Sequence, residues 1–116
     1  MANKIYGCPV EAAIDVIGGK WKAPILWWLY QQTRRFAELR RLMPRITEKM
    51  LTRQLRELEA DGIVHRRVYA TVPPKVEYSL TEYGLSLQSA LKAMCEWGQL
   101  HMERLEHVGS ASIPPL

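Results

Sequence analysis

Lys49, Thr52, Arg53 and Arg56 stand near the middle of this 116-residue chain. At about 100° per residue they fall on one face of a helix, opposite Met50, Leu51, Leu55 and Leu58. Arginine and lysine on such a face can donate to phosphates or to guanine edges. Threonine can bond a base edge or a phosphate, or touch a thymine methyl. The acids Glu48 and Glu57 sit at the edges of that face. A charged helix face taken alone is most often simply solvated, so the neighbourhood decides. A short helical pattern over residues 36–43 and a Pro-containing turn precede it, which is the helix-turn-helix arrangement. A predicted hairpin carrying Arg66, Arg67 and Lys75 follows it.

The charge distribution agrees with a polyanionic partner. The formal net charge is +4, yet residues 34–75 hold eleven Lys/Arg against five Asp/Glu and the rest of the chain five against seven. The positive field is therefore concentrated in the segment that carries the helix and hairpin, and the flanks are left for packing against another protein chain.

Cys8 is a second place where chemistry is possible. It stands directly before Pro9, at or next to the N-cap of a predicted helix, where unpaired backbone N–H groups and the helix dipole favour a thiolate that can be oxidised or alkylated. The plainer alternative is a small half-buried residue without chemistry. With only Cys95 besides, the chain has neither a disulfide framework nor a zinc site, and reduced thiols are expected. His65, His101 and His107 are scattered, no glycine-rich phosphate loop is present, and no His/Cys signature appears, so an enzyme is not expected, nor a cofactor or a metal. No signal peptide is visible. The most apolar stretch, residues 24–30, is far shorter than a membrane span, so no membrane partner is expected and the protein is placed in the cytoplasm.

The elements that must position these groups can be read from periodicity and punctuation. The length suits a single domain with one core, over residues 1–108, followed by a loose tail over 109–116. Pro9 opens a short helix over residues 9–17, which Gly18 and Gly19 close. Residues 21–32 form a core helix so apolar that most of its circumference must be covered. Residues 33–35 make a polar connection with room for a β-bridge. Thr47 is the predicted N-cap of the basic helix and Gly62 its stop. Strands are predicted over 64–70 and 75–80, with the Pro73–Pro74 pair at the turn. One long helix over 81–106, capped by Thr81, completes the chain. Its stripe of Leu87, Leu91, Met94, Cys95, Gly98 and Met102 exceeds what so small a monomer covers, and a partner helix is the simplest cover. The expected class is mainly α with a small β-hairpin wing, dimerising through its last helix.

Five segments in order carry a resemblance: Cys8-Pro9-Val10-Glu11; Gly18-Gly19-Lys20-Trp21; Arg35-Phe36-Ala37-Glu38-Leu39; Ile46 through Leu58; and Pro73-Pro74-Lys75-Val76-Glu77-Tyr78-Ser79-Leu80-Thr81. Together they resemble the HxlR-type, MarR-like winged helix regulators of bacteria, from Cys8 to about Leu105. The chain departs from many relatives in having Gln31-Gln32-Thr33 where they place a glycine turn, which bears on the shape of that turn.

The resemblance implies a homodimeric transcriptional regulator, a repressor, dimerising through its N- and C-terminal helices and reading a roughly palindromic operator in double-stranded DNA. It places Lys49, Thr52, Arg53 and Arg56 in the major groove. Thr47, Arg34, Arg35 and Arg45 are candidates for phosphates, with Arg67 and Lys75 on the wing; Arg66 is either a DNA contact or a strand residue in a salt bridge. Tyr69 and Tyr78 are read as packing residues. The resemblance also favours Cys8 as a sensor of oxidants or electrophiles, with Cys95 as a packed interface residue. Two alternatives stay open: a regulator of the same fold answering to a small ligand, in a cavity lined by Trp27, Trp28, Trp97 and Tyr30, and a protein-binding winged helix.

Overall fold

Pro9, with its φ already helical, opens α1 (Pro9–Ile17), and Cys8 in extended conformation is its N-cap. The computed structural model describes residues 5–108, so the expectation for the 109–116 tail lies outside the described residues. The chain divides into two compact units, Met1–Ser86 and Leu87–Leu116.

The first unit builds the helix-turn-helix. α2 (Lys22–Gln31) buries Ile25, Leu26 and Leu29. Lys22, Ala23, Trp28 and Tyr30 are half-buried, so most of α2 is covered as expected, with Pro24, Trp27 and Gln31 exposed. Gln32, which ends the helix, is extended. No left-handed residue is required there, which explains how this turn does without the relatives' glycine. β1 (Arg34–Arg35) follows, then α3 (Phe36–Leu42) and α4 (Glu48–Ala60). Between these two helices, Met43 and Ile46 turn inward and the Ile46 N–H bonds the Met43 carbonyl at 3.2 Å.

α4 is fixed at both ends. Thr47 Oγ1 accepts the Met50 N–H at 3.1 Å. At the other end Gly62, at φ 75°, allows two reversed bonds, Gly62 N–H to Glu59 O at 3.0 Å and Ile63 N–H to Leu58 O at 2.9 Å. These are the paired bonds of a Schellman stop. Leu51, Leu55 and Leu58 are 0%, 2% and 0% exposed and share the core with Leu39, Ile46, Ile63 and Val64. Each such leucine contributes roughly 1.5–3 kcal/mol by leaving water.

The wing is more than a hairpin. β2 (Val64–Tyr69) and β3 (Lys75–Leu80) pair antiparallel, and β1 adds to the free edge of β3, giving the order β1-β3-β2. The base of the wing is tied to the helices through one knot of polar groups. The Thr81 hydroxyl donates to Gly62 O at 2.6 Å and accepts from Gly84 N–H at 2.9 Å, and the Tyr30 hydroxyl donates to Gly84 O at 2.7 Å. A Cβ on Gly84 would stand 2.2 Å from Ile63 O, so the close approach requires glycine.

That knot accounts for a departure from the sequence expectation. The single helix expected over residues 81–106 is two: α5 (Glu82–Leu85), which Thr81 does cap, and α6 (Gln88–Val108). The Gly84 carbonyl, which a continuous helix would offer to Gln88, is engaged by Tyr30. The Ser86 N–H and hydroxyl both turn back onto Tyr83 O and tighten the chain there. In the second unit, α6 exposes Met94, Trp97, Leu100, Met102 and Leu105.

Candidate nucleic-acid interface

Lys49, Arg53 and Arg56 are all exposed on α4, and none has an ion pair or hydrogen bond among the described residues. The neighbouring acids are occupied elsewhere. Glu48 faces Arg40 of α3 at 3.7 Å, and Glu57 faces Lys22 of α2 at 3.7 Å. Interhelical pairs thus draw the carboxylates off the reading face while the three cations remain available. Met50 is only half-buried, so the apolar seam proper is Leu51, Leu55 and Leu58.

The two threonines differ in what they can still give. Thr47 uses a lone pair to cap its helix, which leaves the hydroxyl proton free for an anion. Thr52, half-buried, donates its proton to Glu48 O at 2.9 Å, so it offers a methyl and lone pairs rather than a donor.

Of the cations flanking the helix starts, Arg34 is structural. Its Nε donates to Trp28 O and its terminal nitrogen to Gln31 Oε1, each at 3.3 Å, and its guanidinium lies 5.8 Å from the Trp28 ring centre. It ties the end of α2 to β1. Arg35 is exposed; its backbone N–H is accepted by Glu38 Oε1 at 3.0 Å, and its register partner on β3 is Glu77. Arg45 lies exposed in the turn between α3 and α4.

Strand alternation divides the wing residues between two faces. Arg66 stands opposite Tyr78, and both line an open cleft of about 500 Å³ between α4 and the sheet, together with Thr52, Leu55, Arg56 and Val76. Arg67 stands opposite Glu77 and Tyr69 opposite Lys75, on the other face. The described cavity is therefore this cleft beside α4. The Tyr30 hydroxyl is bound to Gly84 O.

Cys8 is exposed, and its side chain makes no capping bond at α1. The N–H of the preceding Gly7 is held by Glu11 Oε2 at 3.0 Å, and the Tyr6 hydroxyl donates to Asp15 at 2.7 Å. Cys95 is exposed on α6. No helix among the described residues is long and apolar enough to cross a membrane.

Tyr30 and Gly84 are the positioning residues that sequence reasoning missed. The one available signal was a glycine three residues after a capping threonine, and nothing local pairs it with a tyrosine 54 positions away.

Comparison with known proteins places this architecture. The HTH-type transcriptional regulator YdeP of Bacillus subtilis is 52% identical over 110 residues, which cover 95% of this chain and 86% of that protein. The reduced form of the redox regulator HypR is 56% identical with a TM-score of 0.82, over 86% of this chain and 99% of that one. Its oxidised form is 60% identical with a TM-score of 0.77, over 79% and 95%. Diamide-treated YodB from B. subtilis is 37% identical with a TM-score of 0.69, over 80% and 93%. The family model described as HxlR-like helix-turn-helix matches residues 16–106. A winged helix-turn-helix with a free basic face on α4, matched by that model over most of its length, belongs to the HxlR-like helix-turn-helix family of transcriptional regulators, not to the enzymes.

Proposed function

We propose that this regulator is a repressor that binds a palindromic operator as a homodimer and releases it when Cys8 is modified. The observation that carries the DNA reading is the set of unpartnered cations, Lys49, Arg53 and Arg56, on a helix stapled by its own acids to α2 and α3. Cations held away from internal partners keep their full charge for phosphates and base edges. Thr47, Thr52, Arg35, Arg45, Arg67 and Lys75 complete the surface. Such a protein works where bacterial DNA is, in the cytoplasm.

Two apolar surfaces support a dimer. In the first unit, Val10 and Ile14 of α1 are exposed, with only Ile17 buried on that helix. In the second, five large apolar side chains of α6 are exposed. Surfaces of that kind are covered by a partner in stable regulators, and a two-fold axis then sets half-site spacing at about 34 Å or a multiple.

Support for control by thiol chemistry is the exposure of Cys8 at the start of a nine-residue helix, together with the likeness to HypR, a redox regulator. An electrophile such as a quinone would form a C–S bond at the sulfur. Diamide would accept two electrons and two protons as two thiols join in a disulfide. The cleft between α4 and the sheet favours a second reading, release by a small ligand seated there.

The test is titration of promoter fragments from the source genome at several salt concentrations. Log affinity should fall linearly with log salt, by ~0.9 for each phosphate neutralised. Absence of DNA binding, or binding indifferent to salt, would sink the reading. Cys8→Ser should bind DNA normally and ignore diamide; an undiminished response moves the sensor to another group.

A further inference from the structure

Five side chains on the outer face of the wing form one block. Arg67 and Tyr69 project from β2, opposite Glu77 and Lys75 of β3, and Arg35 of β1 stands opposite Glu77 on its other side. The Arg67 guanidinium lies 4.7 Å and the Lys75 ammonium 4.8 Å from the centre of the same Tyr69 ring. The Lys75 Nζ is also 3.7 Å from a Glu77 oxygen. Tyr69 and Glu77 interact through the phenol hydroxyl, which raises the phenol and lowers the carboxyl.

Two cations drawn onto one ring repel each other, and a single carboxylate is shared among Arg35, Arg67 and Lys75. The block therefore carries an excess of positive charge on an exposed strand pair, a surface complementary to an anion. Long cationic side chains normally lose much rotamer freedom when they meet a ligand. Here the ring already holds both of them.

We propose that Tyr69 is a positioning residue of the wing: its ring holds Arg67 and Lys75 together as a preorganised pair for the sugar–phosphate backbone of DNA. This rests on the DNA-binding reading above. Tyr69 acts through the two cations and makes no base contact of its own, so its contribution is independent of sequence and sensitive to salt. Glu77 keys the ring in place and holds part of the Lys75 charge until a phosphate competes for it.

The experiment measures the salt dependence of binding to a mixed-sequence DNA duplex long enough to cover two half-sites, with melting temperature recorded for every variant. Tyr69→Phe keeps the ring and should retain the wild-type slope of log affinity against log salt. With two wings per dimer, Tyr69→Leu should make it shallower by between ~1.8 and ~3.6, the value of two to four phosphate contacts. In an Arg67→Gln/Lys75→Gln background, already shallower by ~3.6 for the four cations of a dimer, Tyr69→Leu should change nothing further. Tyr69→Thr, a good strand former, replaces the leucine variant if that one does not fold. An unchanged slope in Tyr69→Leu, or an equal loss with and without the two cations, overturns the assignment. Loss of binding in Arg53→Ala beside an unchanged slope in Tyr69→Leu refutes the role of Tyr69 alone. A wild-type protein that does not bind the duplex refutes the DNA reading and this assignment together.

Discussion

The cations of α4 and those of the wing are prepared in opposite ways. On α4 the backbone is held at both ends, by Thr47 and by the Gly62 stop, while Lys49, Arg53 and Arg56 are left without partners. On the wing, Arg67 and Lys75 are pinned to Tyr69, and Lys75 also to Glu77. Under the proposed function, the difference follows from what each would meet. Base edges vary from site to site, and side chains that read them must be able to adjust. Phosphates repeat regularly, and cations that meet them gain by being fixed in advance.

The largest perturbation removes the foundation on which both surfaces rest. Leu55, 2% exposed, belongs to the seam beneath α4 and also lines the cleft against the sheet. Leu55→Ala should cost about 2–5 kcal/mol of stability, read by chemical denaturation. A loss below about 1 kcal/mol would mean that the seam does not bear on the fold as described.

Next comes the free-cation surface by itself. Arg53→Ala and Arg56→Ala should each weaken operator binding by roughly 1–3 kcal/mol and relax the preference for the operator wherever a base contact is lost. Wing variants should weaken all sequences alike. Competition between operator and random duplex measures both. A wing variant that relaxed specificity, with α4 variants that did not, would reverse the assignment of roles.

Smaller again is the cap that holds α4 at its start. Thr47→Ala removes the acceptor for the Met50 N–H and should cost about 1 kcal/mol in thermal denaturation, with Thr47→Ser restoring it. The wing, which does not depend on this cap, should keep its salt slope. If Ser does not rescue, capping is not what Thr47 contributes.

The smallest effect concerns pH and has a counterpart only on the wing. The Tyr69 hydroxyl, more than Lys75 and Arg35, draws the Glu77 carboxyl below its ordinary 4.5, and the same bond raises Tyr69 above 10.0. A depressed carboxyl contributes stability above its unfolded pKa and loses it as pH falls through the folded one. A raised phenol contributes below its unfolded pKa and loses it as pH rises through the folded one. The Tyr69–Glu77 contribution is therefore a plateau between the acid and alkaline limits. NMR titration of the Glu77 carboxyl carbon checks it, and a midpoint at the ordinary value would show that the bond is not formed in solution.

Elements built from near neighbours were legible before any coordinates. Pro9, Thr47 and Gly62 mark helix ends because proline, a capping hydroxyl and a left-handed glycine act on bonds within a turn of themselves. The α4 seam follows from spacing alone. The break at Ser86 was not legible, because residues 81–106 are helical by local preference and the Tyr30 bond to Gly84, made 54 positions away, takes part in the interruption beside the local bonds of Ser86. Arg34 and Arg67 look alike in the chain. One is spent on the end of α2 and the other displayed on the wing, a distinction made by the groups that fold beside each.

The sequence by itself determined the helix-turn-helix, the caps, the excess of positive charge and the wing's existence, since all of these arise from periodicity and contacts between residues a few positions apart. Only the tertiary structure decided which cations are free. That depends on Glu48 meeting Arg40, Glu57 meeting Lys22 and Tyr69 meeting Lys75 across separate elements, and an electrostatic partner is chosen by distance in space rather than along the chain.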